Sequence, residues 1–243
     1  MTYNRPMQPI DAFAQLGRIK SHEVSLRDVL QSVVDLAGLS IPQVTEASMT
    51  LVQGTRAHTA VSTGSLASSL DEAQYELGQG PCLHAATATT VESVGDMAAE
   101  SRWPDWTSRA LQAGARSSLS IGLPAQSPVG GALNLYASTS HAFDTDAIAV
   151  ARAFAGWAGL AVANDYLNQV QLTLSRQVDA AMDSEAVIEQ AKGIIVGERR
   201  CTPVEAFAVL AATAQDTNRT VRETARDLVA STAESTPPGE HGA

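Results

Sequence analysis

The chain has 243 residues, of which 44% are hydrophobic, 17% charged and 5% aromatic, and this balance excludes a mostly unfolded or fibrous protein. Its 26 acidic residues outnumber its 16 basic residues, so the net charge of −10 argues against a broadly cationic coat for nucleic acid. At roughly 150 residues per domain, the length predicts two unequal domains.

The first half of the chain alternates helical and strand patterns. Apolar residues recur every three or four positions from Leu16 to Val34, which predicts a helical opening that stops at Gly38 and Pro42. Period-two alternation then predicts strands, and Gly or Pro clusters predict the turns between them. The elements expected in chain order are a strand hairpin at 47–54 and 57–61, a helix at 65–75, a turn at 77–84 leading into helix-compatible residues, a strand at 90–94, a helix opening at 103–106, and strands at 117–123 and 131–138.

From Asp144 a helical pattern continues for more than fifty residues. Because an unbroken helix of that length would be a rod of roughly 75 Å, we expect it to close one domain, leave it, and begin the next. Within it a heptad seam predicts a homodimer. The seam consists of Leu160, Ala163, Leu167, Val170, Leu174, Gln177 and Ala181.

Two short helices with clear starts follow. Thr202 and Thr220 each stand three residues before a glutamate, the spacing of a capping box, and Pro203 occupies a first helical position. Apolar residues on both helices would pack against the incoming helix around 187–195. The last third is therefore predicted to be a three-helix module, with a disordered tail at 233–243.

Neither cysteine stands in a pattern that binds metal or forms a disulfide framework. Cys82 and Cys201 are far apart, with no CxxC or Cys/His spacing. We therefore predict no metal site and no cofactor, in a reducing, cytoplasmic location. The first twenty residues lack the apolar core of a secretory signal, and the weakly polar stretch 147–163 is interrupted by Arg152. No membrane partner is expected.

Basic residues are concentrated in the C-terminal module. Six of the sixteen bases fall between Lys192 and Arg226, whereas acids outnumber bases fifteen to nine in residues 1–171. Arg219, Arg222 and Arg226 can project to one side, where guanidinium groups suit phosphates or base edges. The same pattern also fits a solvated helix face with acidic neighbours, so charge alone leaves both interpretations open.

Three segments of this module carry a family resemblance. They read IEQAKGII at 188–195, TPVEAFAVL at 202–210 and DTNRTVRETA at 216–225. In this order and spacing they resemble the ANTAR output domain, a match of high specificity over about 60 residues. The resemblance implies binding to structured RNA, typically stem-loops in transcript leaders, and opposition to transcription termination. Carried over to this sequence, it implies these RNA-binding residues: Lys192, Gly193, Asn218, Arg219, Arg222 and Arg226.

Several of these residues also admit structural roles. Lys192 suits a phosphate, or an ion pair with Glu189. Gly193 permits close approach of another helix, and packing alone would also explain it. Asn218 could read a base edge, or simply start a helix.

Four segments of the N-terminal two-thirds carry a second resemblance. They read LDEAQYELGQGPC at 70–82, RWP at 102–104, GARS at 114–117 and GGALNLY at 130–136. As an arrangement they resemble GAF sensor domains, which are often joined to ANTAR modules. The resemblance implies an antiparallel sheet flanked by helices, with a small unknown ligand against one face. The Asn-Lys-Phe-Asp-Glu pattern of cyclic-nucleotide GAF domains is absent, which disfavours that ligand.

Together these patterns predict an α+β protein in five parts. They are an N-terminal extension at 1–22, a GAF-like sensor at 23–165, a helical connector at 166–182, an ANTAR-like RNA-binding module at 183–232 and the tail at 233–243.

Five residues are candidates to contact a sensor ligand. Cys82 with His84 suggests redox or nucleophilic chemistry, although a buried structural cysteine fits as well, since residues two apart share a face only in a strand. Trp103 and Trp106 could line a pocket or fill the core, and Tyr136 has the same ambiguity.

Three other functions compete with a signal-responsive RNA-binding regulator. A GAF-like family reduces free methionine sulfoxide with several cysteines, but this domain has only Cys82, and no Ser/His/Asp set is present. We therefore expect no catalytic residues and no enzyme. A DNA-binding helix-turn-helix regulator fits the three-helix outline, and a dimeric signalling scaffold would leave the basic side solvated.

Overall fold

The computed structural model describes residues 7–19, 24–125 and 127–234, without the side chains of 178–182 and 233–234. It divides into two compact units, with the boundary between Asn168 and Gln169.

The N-terminal unit is built on one antiparallel sheet of five strands in the order β2-β1-β5-β4-β3. This confirms the predicted α+β class and each predicted strand. The elements of this unit are α1 Pro9–Leu16, α2 Leu26–Ser40, β1 Glu46–Gln53, β2 Arg56–Ser62, α3 Ser65–Leu77, α4 Pro81–Ala88, β3 Val91–Val94, α5 Pro104–Gln112, β4 Ser117–Gly122 and β5 Val129–Ala137. Helix α6, Thr145–Arg199, begins in this unit and continues past Asn168 into the second unit.

The opening of the chain differs from the continuous helical pattern in the sequence. Two helices form, because Ser25 starts α2 with a capping box in which its hydroxyl accepts from the Asp28 amide at 3.2 Å. Later, Gly78 ends α3 in the left-handed conformation (φ +65°). A Cβ at Gly122 would overlap the Ala85 carbonyl oxygen, so this glycine lets α4 pack directly on β4.

The two faces of the sheet have different chemistry. One face is apolar and packs on α1, α2 and the start of α6, with Met49, Leu133 and Phe154 in a single core. The face toward α3, α4 and α5 carries buried hydroxyl, amide and phenol groups instead. The buried polar side chains that its strands contribute are Ser48, Thr50, Glu92, Ser118, Ser120, Asn134 and Tyr136. Because side chains alternate along a strand, Leu133 and Leu135 of β5 face one layer while Asn134 and Tyr136 face the other.

Helix α6 is continuous for 55 residues, as the sequence predicts. Its first part contributes Ala151, Phe154 and Ala158 to the core of the N-terminal unit. By length and composition alone, Thr145–Gln177 could cross a membrane, and 44% of its most apolar window is buried within the protein. The core helix of a globular domain can have the same length and composition, so this finding is weak evidence for a membrane span.

The described part of the heptad seam is mostly exposed. Leu160, Leu167, Val170 and Leu174 are exposed, whereas Ala163 is buried. The side chain of Ala181 lies outside the described residues.

The C-terminal unit adds α7 (Pro203–Asp216) and α8 (Val221–Glu234). Both predicted capping boxes form, with Glu205 accepting from the Thr202 amide at 2.8 Å and Glu223 from the Thr220 amide at 2.9 Å. A small core joins the end of α6 to both helices. It contains Ala191, Ile195, Ala206, Leu210 and Ala225. Helix α8 includes the first two positions of the predicted disordered tail, and residues 235–243 lie outside the described residues.

Candidate functional site

Lys192 projects from α6 in the C-terminal unit and is held by an acidic neighbour. Its side chain is 18% exposed, and its Nζ lies 2.6 Å from Oε1 of Glu189, one turn earlier. The ion pair considered for Lys192 at the sequence level is therefore formed. Because the Glu189 partner is exposed, the ammonium group of this i,i+3 pair can exchange the carboxylate for a phosphate at small cost.

Gly193 is an exposed helical glycine with no packing partner. A Cβ there would meet no heavy atom within 4 Å, whereas Ala191 is fully buried in the core. Close helix packing thus accounts for the small residue at 191 and not at 193. Glycine in a helix interior costs about 0.5–1 kcal/mol relative to alanine, and no described residue compensates for it.

The turn between α7 and α8 sets the position of Arg219. Asn218 adopts a left-handed conformation (φ +53°), which asparagine tolerates better than most residues. The amide of Arg219 donates to the Ala214 carbonyl at 2.9 Å, closing the end of α7. The Asn218 backbone therefore has a structural role, and Arg219 leaves the turn exposed.

The three candidate arginines have different environments. The Arg219 Nη1 donates to Oδ2 of Asp227, and this pairing raises the pKa of the guanidinium and lowers the pKa of the carboxyl. Arg226 also lowers the pKa of Asp227 and is exposed. Arg222 is half-buried, and its Nε has no hydrogen-bond partner among the described residues. Asp227 is thus hydrogen-bonded to Arg219 and lies in the electrostatic field of Arg226, and no hydrogen bond or ion pair within the described residues joins Lys192 to either arginine.

A cavity of about 410 Å³ lies beside this ion pair, between α6, α7 and α8. Ile195 and Leu210 form its buried lining, while Arg219 and Asp227 are exposed at its edge. The charges of Arg219 and Asp227 balance each other, so an anionic ligand would have to compete with Asp227 for Arg219.

In the N-terminal unit, Cys82 and Tyr136 meet in a buried polar network around Asp71 of α3. The Tyr136 hydroxyl donates to Asp71 Oδ1 at 2.6 Å, and the Asn134 amide donates to the same oxygen at 3.2 Å. The Cys82 Sγ lies 3.2 Å from Asn134 Nδ2 and 3.0 Å from the Thr50 hydroxyl. Cys82, Tyr136 and Asp71 are fully buried.

A second hydroxyl chain extends the network towards the surface. The Tyr75 hydroxyl lies 2.7 Å from the Thr50 hydroxyl and 3.1 Å from that of Thr59, which also donates to Asp71 Oδ2 at 3.1 Å. Tyr75 also lines an open cleft of about 520 Å³. The network therefore connects the sheet, α3 and α4 to a surface opening.

Burial controls the protonation of these groups. Desolvation raises the pKa of Asp71 to about 6, although hydrogen bonds from its neighbours oppose the shift. Burial first, and the charge of Asp71 second, raise the pKa values of Cys82 and Tyr75. Because the thiolate is the reactive form of cysteine, this environment disfavours Cys82 as a nucleophile or a redox centre.

Three buried polar atoms on the same face of the sheet lack partners among the described residues. They are the hydroxyl oxygens of Ser118 and Ser120 and Oδ1 of Asn134. Buried polar groups are nearly always hydrogen-bonded to protein or water. These three atoms therefore have hydrogen-bonding capacity that no described residue satisfies.

His84 and Trp103 stand apart from Cys82, around the carboxylate of Glu92. The His84 Nδ1 lies 2.7 Å from Glu92 Oε1, and Nη1 of Arg102 lies 2.8 Å from Oε2. The same guanidinium stacks 4.3 Å from the Trp103 ring centroid. Residues 82 and 84 lie on the helix α4, where side chains two apart point to different faces.

Trp106 is fully buried, and its indole N–H donates to the Leu70 carbonyl at 3.1 Å. Its core role is clear, and its role towards a ligand stays a prediction.

The sequence interpretation did not single out Asp71, Asn134, Thr50 or Tyr75. A signal was present in β5, where Asn134 and Tyr136 occupy alternate positions between apolar residues. A polar residue on the core-facing side of a buried strand needs partners. Those partners come from distant parts of the chain and could not be named from spacing.

Comparison with known families and structures matches both parts of the chain. The sequence profile of the GAF domain family matches residues 23–163, and that of the ANTAR domain matches residues 176–229. A comparison with curated proteins gives no match.

Two solved structures illustrate the fold. The fRMsr of Staphylococcus aureus in its reduced form is 15% identical, with a TM-score of 0.51, over 66% of this chain and 99% of that chain. The phycocyanobilin-bound GAF domain of a cyanobacterial phytochrome is 11% identical, with a TM-score of 0.52, over 67% of this chain and 97% of that chain. At these identities the likeness establishes the fold alone.

Proposed function

Because the chain belongs to the GAF domain family and carries an ANTAR domain after it, we propose that it is a signal-responsive regulator that binds stem-loops in transcript leaders. Binding would favour an RNA structure that opposes the terminator, so that transcription continues. We place this activity in the cytoplasm.

The observation that carries the proposal is the exposed, open position of Gly193 beside Lys192. A helical glycine without a packing role is expected where another backbone must come very close. A phosphate backbone drawn to the Lys192 ammonium would approach the helix at that point. The exposed guanidinium groups of Arg219 and Arg226 add further phosphate or base contacts.

The direct test begins with RNA selected by the full chain from a pool of transcript leaders. We expect the affinity for the selected stem-loop to fall steeply with salt, because phosphate contacts release counterions. A template carrying the leader and its terminator should give more read-through when the protein is added. Stronger competition by duplex DNA than by the RNA would instead favour a DNA-binding regulator.

Gly193→Ala is expected to have opposite effects on the stability of the C-terminal unit and on RNA binding. The substitution should stabilise the C-terminal unit by about 0.5–1 kcal/mol, yet weaken RNA binding at least tenfold, because the new methyl group occupies the approach path. Thermal unfolding and RNA titration measure the two effects.

Gly156→Ala is the matched control, since Gly156 is another glycine of α6 at which a Cβ would meet no heavy atom within 4 Å, and it belongs to the N-terminal unit, outside the unit that is proposed to bind RNA. It should leave RNA affinity unchanged. Equal affinities of Gly193→Ala and the unmodified chain would remove the main support for this surface.

Asp227→Asn is expected to increase RNA affinity roughly threefold to tenfold, because Arg219 would no longer have to leave a carboxylate. Asp216→Asn removes the same charge from an exposed position in the unit and is the control. The gain should disappear when Arg219→Ala is combined with Asp227→Asn. A similar gain in the Asp216 variant would mean that net charge alone is responsible.

The exposed seam of α6 supports a homodimer. Leu167, Val170 and Leu174 recur at spacings of three and four, and Leu160 lies one heptad before Leu167, so the four exposed side chains share one side of the helix. A second copy of the same helix would bury them. Two ANTAR domains in one dimer could then hold two stem-loops of one transcript.

We assign the GAF domain a sensing role without catalysis. The likeness to fRMsr concerns the fold, and the single cysteine of this domain is buried with a raised pKa. The input fits a small polar molecule at the sheet face that holds Ser118, Ser120 and Asn134, because these side chains leave polar atoms without partners.

A further inference from the structure

The side chain of Asn134 lies between two neighbouring strands on the polar face of the sheet. Asn134 of β5 is paired with Ser48 of β1 on one side and with Ser120 of β4 on the other, and all three are buried. Residues paired across neighbouring strands share a face, and their Cβ atoms are about 4.5–5.5 Å apart. A rotation of the Asn134 amide can therefore exchange partners on the β1 side for a partner on β4.

The two ends of this amide have unequal numbers of partners. Nδ2 lies within hydrogen-bond distance of four acceptors, although its two hydrogens can serve only two of them. The four acceptors are Ser48 Oγ at 3.3 Å, Thr50 Oγ1 at 3.1 Å, Asp71 Oδ1 at 3.2 Å and Cys82 Sγ at 3.2 Å. By contrast, Oδ1 of Asn134 and Oγ of Ser120 have no partner among the described residues. Because buried polar atoms without partners are unfavourable, another interaction must hold the amide in this orientation.

The negative charge of Asp71 provides that interaction. An ionised carboxylate only accepts hydrogen bonds, and this one accepts from Tyr136 at 2.6 Å, from Thr59 at 3.1 Å and from Asn134. An amide oxygen turned towards the carboxylate would be repelled. A neutral carboxyl instead carries an O–H donor, which can pair with the Asn134 oxygen. Protonation of Asp71 therefore removes the reason for the present orientation of the amide.

Asp71 faces no cation in the described part of the chain. Three titratable side chains contact its network, Tyr75 of α3, Cys82 of α4 and Tyr136 of β5, and burial raises the pKa of each. The other titratable side chains of α3 and of the elements packed against it are exposed or bound elsewhere. Glu46 accepts from the Ala67 amide, His84 is bonded to Glu92, Arg109 pairs with Glu76, and Arg56, His58, Glu72 and Asp105 are exposed. Burial raises the pKa of Asp71 to about 6 despite the hydrogen bonds that oppose this shift, so the carboxyl takes up a proton at mildly acid pH.

A chain of hydroxyl groups connects Asp71 to the surface. Oδ2 of Asp71 accepts from Thr59, whose hydroxyl lies 3.1 Å from that of Tyr75. Tyr75 is half-buried and lines the open cleft of about 520 Å³. Because hydroxyl groups both donate and accept hydrogen bonds, this chain can pass a proton from the solvent to the carboxyl. A proton requires no cavity beside the buried atoms themselves.

We propose that Asp71, Asn134 and Ser120 form a proton-operated switch, in which protonation of Asp71 turns the Asn134 amide over. One proton from the solvent forms an O–H bond at Asp71 Oδ1, and no covalent bond of the protein breaks. The Asn134 oxygen then accepts from this carboxyl, and the Asn134 nitrogen donates to Ser120 Oγ. Thr59 continues to donate to Asp71 Oδ2.

The protonated state gives partners to both atoms that lack them in the ionised state, Oδ1 of Asn134 and Oγ of Ser120. The hydrogen bonds between α3 and the sheet therefore change as the pH falls. The switch lies in the unit proposed to sense a signal, and its test requires neither RNA nor a small ligand.

The test uses the full chain labelled with nitrogen-15 only at asparagine, of which the sequence has five. NMR follows the side-chain NH2 group of Asn134 from pH 7.5 to pH 5. We expect the cross-relaxation contacts of its hydrogens to change from Thr50 at pH 7.5 to Ser120 at pH 5, with a midpoint near pH 6. Asp71→Asn has no titrating proton at this position, so the Asn134 contacts of that variant should not change with pH.

Ser120→Ala and Ser118→Ala are a matched pair of variants. Both serines are buried on β4 with a hydroxyl that has no partner among the described residues, but Ser118 is paired with Tyr136 instead of Asn134. Ser120→Ala removes the acceptor of the turned amide, so the midpoint should fall by roughly 0.5–1 pH unit. Ser118→Ala should keep the midpoint of the unmodified chain.

Three results would overturn the proposal. They are Asn134 contacts that stay the same from pH 7.5 to pH 5, a pH-dependent change that persists in Asp71→Asn, and equal midpoints in Ser120→Ala and Ser118→Ala.

Discussion

Replacing Asp71 by Asn is expected to stabilise the N-terminal unit at neutral pH by on the order of 3 kcal/mol. Asp71 is buried among hydrogen-bond donors, with no cationic partner in the part of the chain that the structure describes, and burial raises its pKa from 3.8 to about 6. The folded state must therefore hold an unfavourable negative charge at pH 7. Asparagine has nearly the same shape, and its carbonyl oxygen can accept from Tyr136 and Asn134.

The sign of the pH dependence follows from the direction of the shift. A carboxyl whose pKa is higher in the folded state binds its proton more tightly there. Its contribution to the free energy of unfolding is therefore fully present below about pH 3.8. That contribution is lost as the pH rises from about 3.8 to 6, and it stays constant above. The stability difference between Asp71→Asn and the unmodified chain should therefore grow over this interval.

Denaturant unfolding of both proteins between pH 4 and pH 7 measures this difference directly. Other carboxylates titrate in the same interval. Because they do so in both proteins, their effects cancel in the stability difference. Asp105→Asn, an exposed substitution on α5, should show no such trend. A pH-independent difference for Asp71→Asn would mean that the buried carboxyl is not the titrating group.

The double substitution Leu167→Glu with Leu174→Glu is expected to abolish the dimer and to lower affinity for a two-loop RNA roughly 100-fold or more. These side chains are 61% and 56% exposed on the seam of α6. Glutamates facing their counterparts in a second copy would repel and remain solvated. A monomer can hold only one loop at a time, so the gain from joining two sites is lost.

Sedimentation measures the oligomeric state. Two RNAs distinguish a loss of avidity from a loss of the contacts that one protein copy makes with one stem-loop. One RNA carries a single copy of the selected stem-loop, and the other carries two. Affinity for the single loop should stay unchanged in the double variant.

Leu172→Glu is the control, because Leu172 is 53% exposed on the same helix but outside the seam. It should preserve the dimer. A double variant that remains dimeric would exclude this seam as the interface.

Local patterns allowed much of the fold to be predicted. The β1–β2 hairpin and both capping boxes of the C-terminal unit depend on residues close in sequence, whose spacing determines their hydrogen bonds. The continuity of α6 follows from sustained helical periodicity without proline.

The networks around the candidate sites could not be predicted in the same way. Asp71 contacts Asn134 and Tyr136 across 63 and 65 positions, and which distant residues meet depends on the packing of α3 against the sheet. Arg219 and Asp227 were both visible as charges, but their pairing depends on the left-handed turn at Asn218. Gly193 was identified by resemblance, and only its open surroundings excluded a packing role.

Cys82 is completely buried, whereas Cys201 is only partly buried, so the two thiols should react with a labelling reagent at different rates. A thiol reagent reaches the first sulfur only when the N-terminal unit opens, so its slow labelling phase records local or global opening there. The second sulfur is partly accessible in the folded protein and provides a fast-labelling internal reference. Peptide mass spectrometry of one labelled sample can thus compare the two rates, with no introduced dye or tryptophan.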